Sequence, residues 1–84
     1  MNNVIQRQIV VTGSYQPLAS VKTVASVTIS CPPTNSGPVW FKAEGANEVL
    51  WQPSEWHEFQ QIDLSSIQVK GNSGDVVTVV GGTW

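Results

Sequence analysis

Leu64-Ser65-Ser66-Ile67-Gln68-Val69-Lys70, then Gly71-Asn72-Ser73-Gly74-Asp75, then Val76-Val77-Thr78-Val79-Val80: this run, opened by Asp63, is an apolar alternation, a cluster of turn formers and a β-branched stretch. It predicts a β-hairpin. Successive strand side chains point to opposite sides, so Ile67 and Val69 share one face and Gln68 and Lys70 the other. In the return strand Val77 and Val79 share one face, while Val76, Thr78 and Val80 share the second. That strand is covered on both sides or packed against another chain on one.

The same reading extends over the rest of the chain. Residues 4–12 alternate as a first strand with Ile5, Ile9 and Val11 on the core side. Pro17 lacks an N–H, so residues 15–20 read as an edge segment or loop, with a short bridge over 21–24. Val27, Ile29 and Cys31 alternate with Ser26, Thr28 and Ser30, the pattern of a half-buried strand. The stretch 32–38 is a Pro-rich rigid loop. Val39, Phe41 and Ala43 then face inward and Trp40 outward, before a turn at 44–47 and a short strand at 48–52. The strand expected at 55–64 changes apolar parity between Phe59 and Ile62, which predicts a bulge at Gln60-Gln61. Residues 81–84, Gly-Gly-Thr-Trp, read as a flexible tail.

No stretch holds a 3.6-residue apolar period over ten residues, so little or no helix is expected. The predicted fold is a single all-β domain over 1–84, with a possibly extended N-terminal segment at 1–12. It is a small antiparallel β-sandwich of jelly-roll or Greek-key type, with seven or eight short strands. An 84-residue chain buries roughly 60% of its unfolded surface, so assembly into an oligomer is expected.

Composition narrows the function. The four basic residues, Arg7, Lys22, Lys42 and Lys70, are scattered and the net charge is -2, which argues against nucleic acid as a partner. No apolar run approaches the length of a membrane helix, roughly 20 residues, and the first residues lack a signal-peptide layout, so synthesis in a cytosol and no membrane partner are expected. One cysteine and one histidine set no zinc spacing, and no cofactor is expected. A Glu55/His57 pair or a Cys31/His57 dyad is formally available. The plainer readings are a surface histidine and a core cysteine, so the chain is read as a non-enzyme.

Four tryptophans in so short a chain suit an interface, because each joins a large apolar body to one N–H donor. Trp40, Trp51, Trp56 and Trp84 are the contact candidates, together with Ile5 and Arg7 of the first strand. Capping of the core by Trp51 and Trp56 is the plainer alternative for those two.

Four pieces carry a resemblance to small β-sandwich virion proteins of tailed bacteriophages. They are the first strand running into Gln16-Pro17-Leu18; Ser26-Val27-Thr28-Ile29; Val39-Trp40-Phe41 with Glu48-Val49-Leu50 and Pro53-Ser54-Glu55; and Asp63-Leu64-Ser65-Ser66-Ile67-Gln68-Val69-Lys70-Gly71 followed by Gly74-Asp75. The last matches the group's Asp-Leu-Ser-x-Ile/Val-x-Val run before a Gly-x-x-Gly-Asp turn. The resemblance implies a capsid decoration, or cement, protein on the outside of the head, made in the host cytoplasm. Its implied partners are the major capsid protein and itself, as a homotrimer. Similar small sandwiches serve at tails and fibre bases, and a glycan- or receptor-binding module using exposed tryptophan is the alternative. The tryptophan-rich stretch 51–56 departs from the group, where smaller aliphatic residues are expected.

Overall fold

The computed structural model describes residues 3–43 and 47–83. Its strands are β1 (Val4–Val10), β2 (Gln16–Pro17), β3 (Val24–Ser30), β4 (Val39–Lys42), β5 (Glu48–Trp51), β6 (Trp56–Asp63), β7 (Gln68–Gly71) and β8 (Val76–Thr83). Two four-stranded antiparallel sheets, ordered β1-β8-β3-β6 and β2-β7-β4-β5, face each other as a β-sandwich. The pairs β1·β8, β2·β7, β3·β6 and β4·β5 are nested, so the chain is one long hairpin rolled onto itself. That order is a jelly roll, the first of the two topologies expected.

The alternation that predicted each strand is a burial pattern in three dimensions. Ala25, Val27 and Ile29 of β3, with Cys31 just beyond it, meet Val77 and Val79 of β8 in one layer of the core. Val39 and Phe41 of β4 and Val69 of β7 supply the facing layer. The expected bulge is present: between the pairs Ala25↔Ile62 and Val27↔Phe59, Gln60 and Gln61 oppose Ser26 alone. Gln61 has φ 52° and donates its N–H to Ser26 Oγ at 3.1 Å. This extra residue restores Ile62 to the core side after Phe59, which is the change of parity seen in the sequence.

The central hairpin is corrected. β7 and β8 lie in different sheets, β7 between β2 and β4 and β8 between β1 and β3. Residues 71–75 form a corner running beside a second corner at 11–12, tied to it by Val11 N–H to Asp75 O at 2.8 Å, Gly71 N–H to Thr12 O at 2.9 Å and Gly74 N–H to Val11 O at 3.3 Å. A hairpin and a sheet-to-sheet corner use the same turn residues and both bury Val69, Val77 and Val79. The pattern of faces does not distinguish them.

The strand predicted from Leu64 onward starts later. Leu64–Ser66 is a 3-10 turn because Asp63 caps it, its Oδ1 accepting from Ser65 N–H at 3.0 Å and Ser65 Oγ at 2.8 Å, and also from Thr23 N–H at 3.1 Å. No strand bridge forms over 21–23, Val24 already belonging to β3, and Ala43 is exposed. Gly81 to Thr83 are not a loose tail: they continue β8, paired with β1 on one side and β3 on the other. Trp84 and the turn residues 44–46 lie outside the described residues.

A polar clamp holds the corner at 71–75. Asp75 is buried and accepts from Ser36 N–H and Ser36 Oγ, each at 3.0 Å, and from Gly37 N–H at 3.3 Å. Asn35 pairs with Val76 as a strand would, accepting its N–H at 2.9 Å and donating to its carbonyl at 2.8 Å. The loop after β3 thus satisfies backbone groups that no strand reaches.

Candidate functional site

The tryptophans separate according to strand parity. Trp51, on β5, is 5% exposed and packs with ring centroids 4.0 Å from Phe41 and 4.6 Å from His57, and 6.4 Å from Phe59. It is a core residue and is withdrawn as a contact candidate. Ile5 is withdrawn for the same reason, at 5% exposed and paired with Gly81. Trp56 is 57% exposed on the outer face of β6, and Trp40 is half-buried on the outer face of β4. Arg7 is exposed on the edge strand β1, with one Nη at 3.5 Å from the carbonyl of Leu18. Trp84, the remaining candidate, lies outside the described residues.

The two sheets part along the β5 and β6 edges, leaving an apolar cleft of about 390 Å³ over Ile29, Phe41, Val49, Trp51, Phe59 and Ile67. His57 stands at its rim and shares a 2.7 Å hydrogen bond with Glu55. That bond, followed by the backbone N–H of Gln52, holds the Glu55 carboxyl below its ordinary range. Both members face solvent, so this surface contact contributes little to stability. Cys31 is fully buried, and burial pushes its thiol up, against smaller opposing effects of hydrogen bonds from Asn35 Nδ2 at 3.3 Å and from the Val39 backbone. A thiol so placed is held protonated, the opposite of what a nucleophile requires. Among the described residues no three His, Cys, Asp or Glu side chains gather as a metal site.

The outer faces of the two sheets differ in charge. On β2-β7-β4-β5, Tyr15 donates to Glu48 at 2.5 Å while Lys42 and Lys70 lie over its ring at 4.4 and 4.9 Å from the centroid. Lys70 also approaches Glu48 at 3.5 Å and the ring of Trp40 at 5.9 Å. Burial, then the hydrogen bond to Glu48 and its charge, push the Tyr15 hydroxyl up to about 12. Glu48 is held low, first by that same bond and then by the lysines. Sequence reasoning passed over Tyr15. The outward parity of Trp40, Lys42 and Lys70 was visible, but that their strands are neighbours and that Tyr15 lies beside them was not.

The outer face of β1-β8-β3-β6 is nearly uncharged. Its cross-strand rows run Gln6, Val80, Thr28, Glu58 and Gln8, Thr78, Ser30, Trp56. Val4, Val10 and Val80 are 74%, 54% and 49% exposed on it. Glu58 is the one carboxylate within these rows, since Asp63 at the sheet's end is engaged by Ser65 and Thr23. No family model, no curated protein and no solved structure matches the chain.

Proposed function

We propose that this chain is a structural protein of a tailed-phage virion, decorating the head by burying surface against the major capsid protein and against copies of itself. The observation that carries the reading is the contrast between the two sheet faces. A nearly uncharged face rich in Val, Thr, Ser and Gln, with Trp56 standing on it, desolvates at low cost against another protein. The opposite face, with Lys42, Lys70, Glu48 and Tyr15 interlocked, suits solvent. The jelly roll supplies a rigid plate between the two, and the four sequence pieces that resemble phage decoration proteins lie in β1 to β8 and the corners joining them.

The test is the copy number of the polypeptide in purified virions relative to the major capsid protein, by quantitative mass spectrometry. Near-stoichiometric copies are expected. A handful of copies moves the protein to a tail or fibre base, and complete absence overturns the virion reading.

One observation favours a second reading, a glycan-binding module. Trp56 is exposed in a row with the hydroxyls of Ser30 and Thr78 and the amide of Gln8, a stacking surface with hydrogen-bonding neighbours. Titration of tryptophan fluorescence with host surface polysaccharide separates the two, because a saturable shift lost in Trp56→Ala belongs to the second reading alone.

A further inference from the structure

The first sheet ends in two strands whose outer edges no strand covers among the described residues, β1 on one side and β6 on the other. The direction of their backbone groups follows from the ladder. Thr83 N–H bonds to Asn3 O at one end of the β1·β8 pairing and Val11 N–H to Asp75 O at the other. Odd-numbered residues of β1 therefore bond inward to β8, and Val4, Gln6, Gln8 and Val10 turn their N–H and C=O groups to the open edge. The Val10 carbonyl is already taken by Gln16 Nε2 at 2.6 Å. On β6, Cys31 N–H to Glu55 O sets the same alternation, so Trp56, Glu58 and Gln60 turn their backbone groups outward ahead of the bulge. The two edges present matching ladders about three bonding residues long.

Charge selects how these edges combine. Pairing β1 with a second β1 about a centred two-fold axis places Arg7 opposite Arg7, since it is the middle residue of Val4–Val10 and the one charge in the strand. The β6 edge instead offers Glu55, just before the strand and hydrogen-bonded to His57, on the core-side parity that Arg7 shares, with Glu58 on the outer face. Direction agrees as well. Three antiparallel steps separate β1 from β6, so the two run in opposite senses, and a copy in the same orientation sets its β1 antiparallel to β6. That is the relation produced by rotation about an axis along the strands, and copies so related close into a ring when the rotation is a whole fraction of a turn.

We infer that copies of this chain associate head to tail, the β1 edge of one adding as a fifth strand to the β6 edge of the next, with Arg7 turned toward the Glu55–His57 pair, which lies on the same side of the sheet. The inference deepens the self-association within the proposed function and does not depend on the virion. Purified chain in solution tests it, whereas the copy number in virions tests the location, so the two can fail separately.

Analytical ultracentrifugation of the full chain is expected to show a closed oligomer. Gln8→Pro removes an N–H that faces the open edge and leaves the β1·β8 ladder intact. Its expected result is a monomer with unchanged far-ultraviolet circular dichroism. Should proline disturb the fold, Arg7→Glu, at an exposed position, carries the test: like charges facing across the edge raise the dissociation constant about tenfold or more. A monomeric native chain at every concentration reached, or an oligomer of the same mass and affinity in folded Arg7→Glu, overturns the inference.

Discussion

Replacing Gly81 by alanine separates two descriptions of the C-terminal residues that differ sharply in energy. In β8, Gly81 pairs with Ile5 on one side and Val27 on the other. A Cβ at this position would lie 2.0 Å from Ser26 O, 2.7 Å from Val27 Cα and 2.9 Å from Ser26 C. All three atoms are backbone of β3, which is held in the middle of the sheet by β8 and β6. No side chain can swing away to make room, so β8 and β3 must separate and their ladder weakens. Such overpacking reaches the upper end of its usual range, about 3 kcal/mol or more. At about 4–8 °C per kcal/mol for a domain of this size, the midpoint of thermal unfolding falls by about 12–24 °C. Urea and thermal unfolding followed by tryptophan fluorescence and circular dichroism measure this directly. Gly13→Ala is the control, because a Cβ there meets nothing within 4 Å. A loose glycine tail would respond in the opposite sense, with a neutral result or a gain of up to about 1 kcal/mol from the stiffer unfolded chain. A Gly81→Ala protein as stable as Gly13→Ala would refute the placement of 81–83 in the sheet.

Three further outcomes follow from groups whose surroundings are specific. Hydrogen bonds from Ser65 hold the Asp63 carboxyl below its ordinary 3.8, and the backbone N–H of Ser36 foremost does the same for Asp75. A carboxyl depressed in the folded state contributes stability that is fully present above its unfolded value and lost as pH falls through the folded one. The urea midpoint is therefore expected to drop below pH 3.8 and to drop less steeply in Asp75→Asn; an identical acid slope in the two proteins would remove Asp75 from the account. Cys31 should react with an aromatic disulfide reagent only through opening of the fold, about tenfold more slowly for each 1.4 kcal/mol of stability added. Reaction at the rate of an exposed thiol would contradict its burial. The single tyrosine makes the phenolate absorbance a clean probe: Tyr15 should begin to ionise well above its ordinary 10.0, with a folded midpoint near 12. Glu48→Gln should move that midpoint only part of the way back, because burial is the larger cause, and a native midpoint at 10.0 would dissolve the Tyr15–Glu48 contact.

How much of this was legible in advance depended on the range of the interaction concerned. The bulge at Gln60-Gln61 was readable because it leaves a local mark, Phe59 and Ile62 being three apart yet both turned to the core side. Pro17 excluded a central strand and left an edge segment or loop, because a missing N–H has one consequence wherever it falls, and β2 lies at the edge of its sheet. Cys31 was readable as core from the alternation that it ends. The Asp63 cap was misread, since an Asp-Leu-Ser-Ser run after a strand supports a 3-10 turn as readily as further extension. The candidate contact residues fared according to parity. Trp40 and Trp56 lie outward, whereas Trp51 and Ile5 belong to the interior that their neighbours build.

Side-chain alternation, turn chemistry and the absence of a helical period are properties of adjacent residues, and by themselves they determined an all-β sandwich of about eight strands and most of its core. Which strand pairs with which was decided only in three dimensions, because pairing compares segments far apart in the chain that share the same apolar pattern. Residues 71–75 became a corner between sheets because the 11–12 corner and the Asn35, Ser36 and Gly37 loop satisfy their backbone and Asp75. Gly81 and Gly82 became strand because β1 and β3 lie on either side of them. The nearly uncharged face on one sheet and the lysine-tyrosine face on the other likewise exist only once the roll has set distant strands side by side.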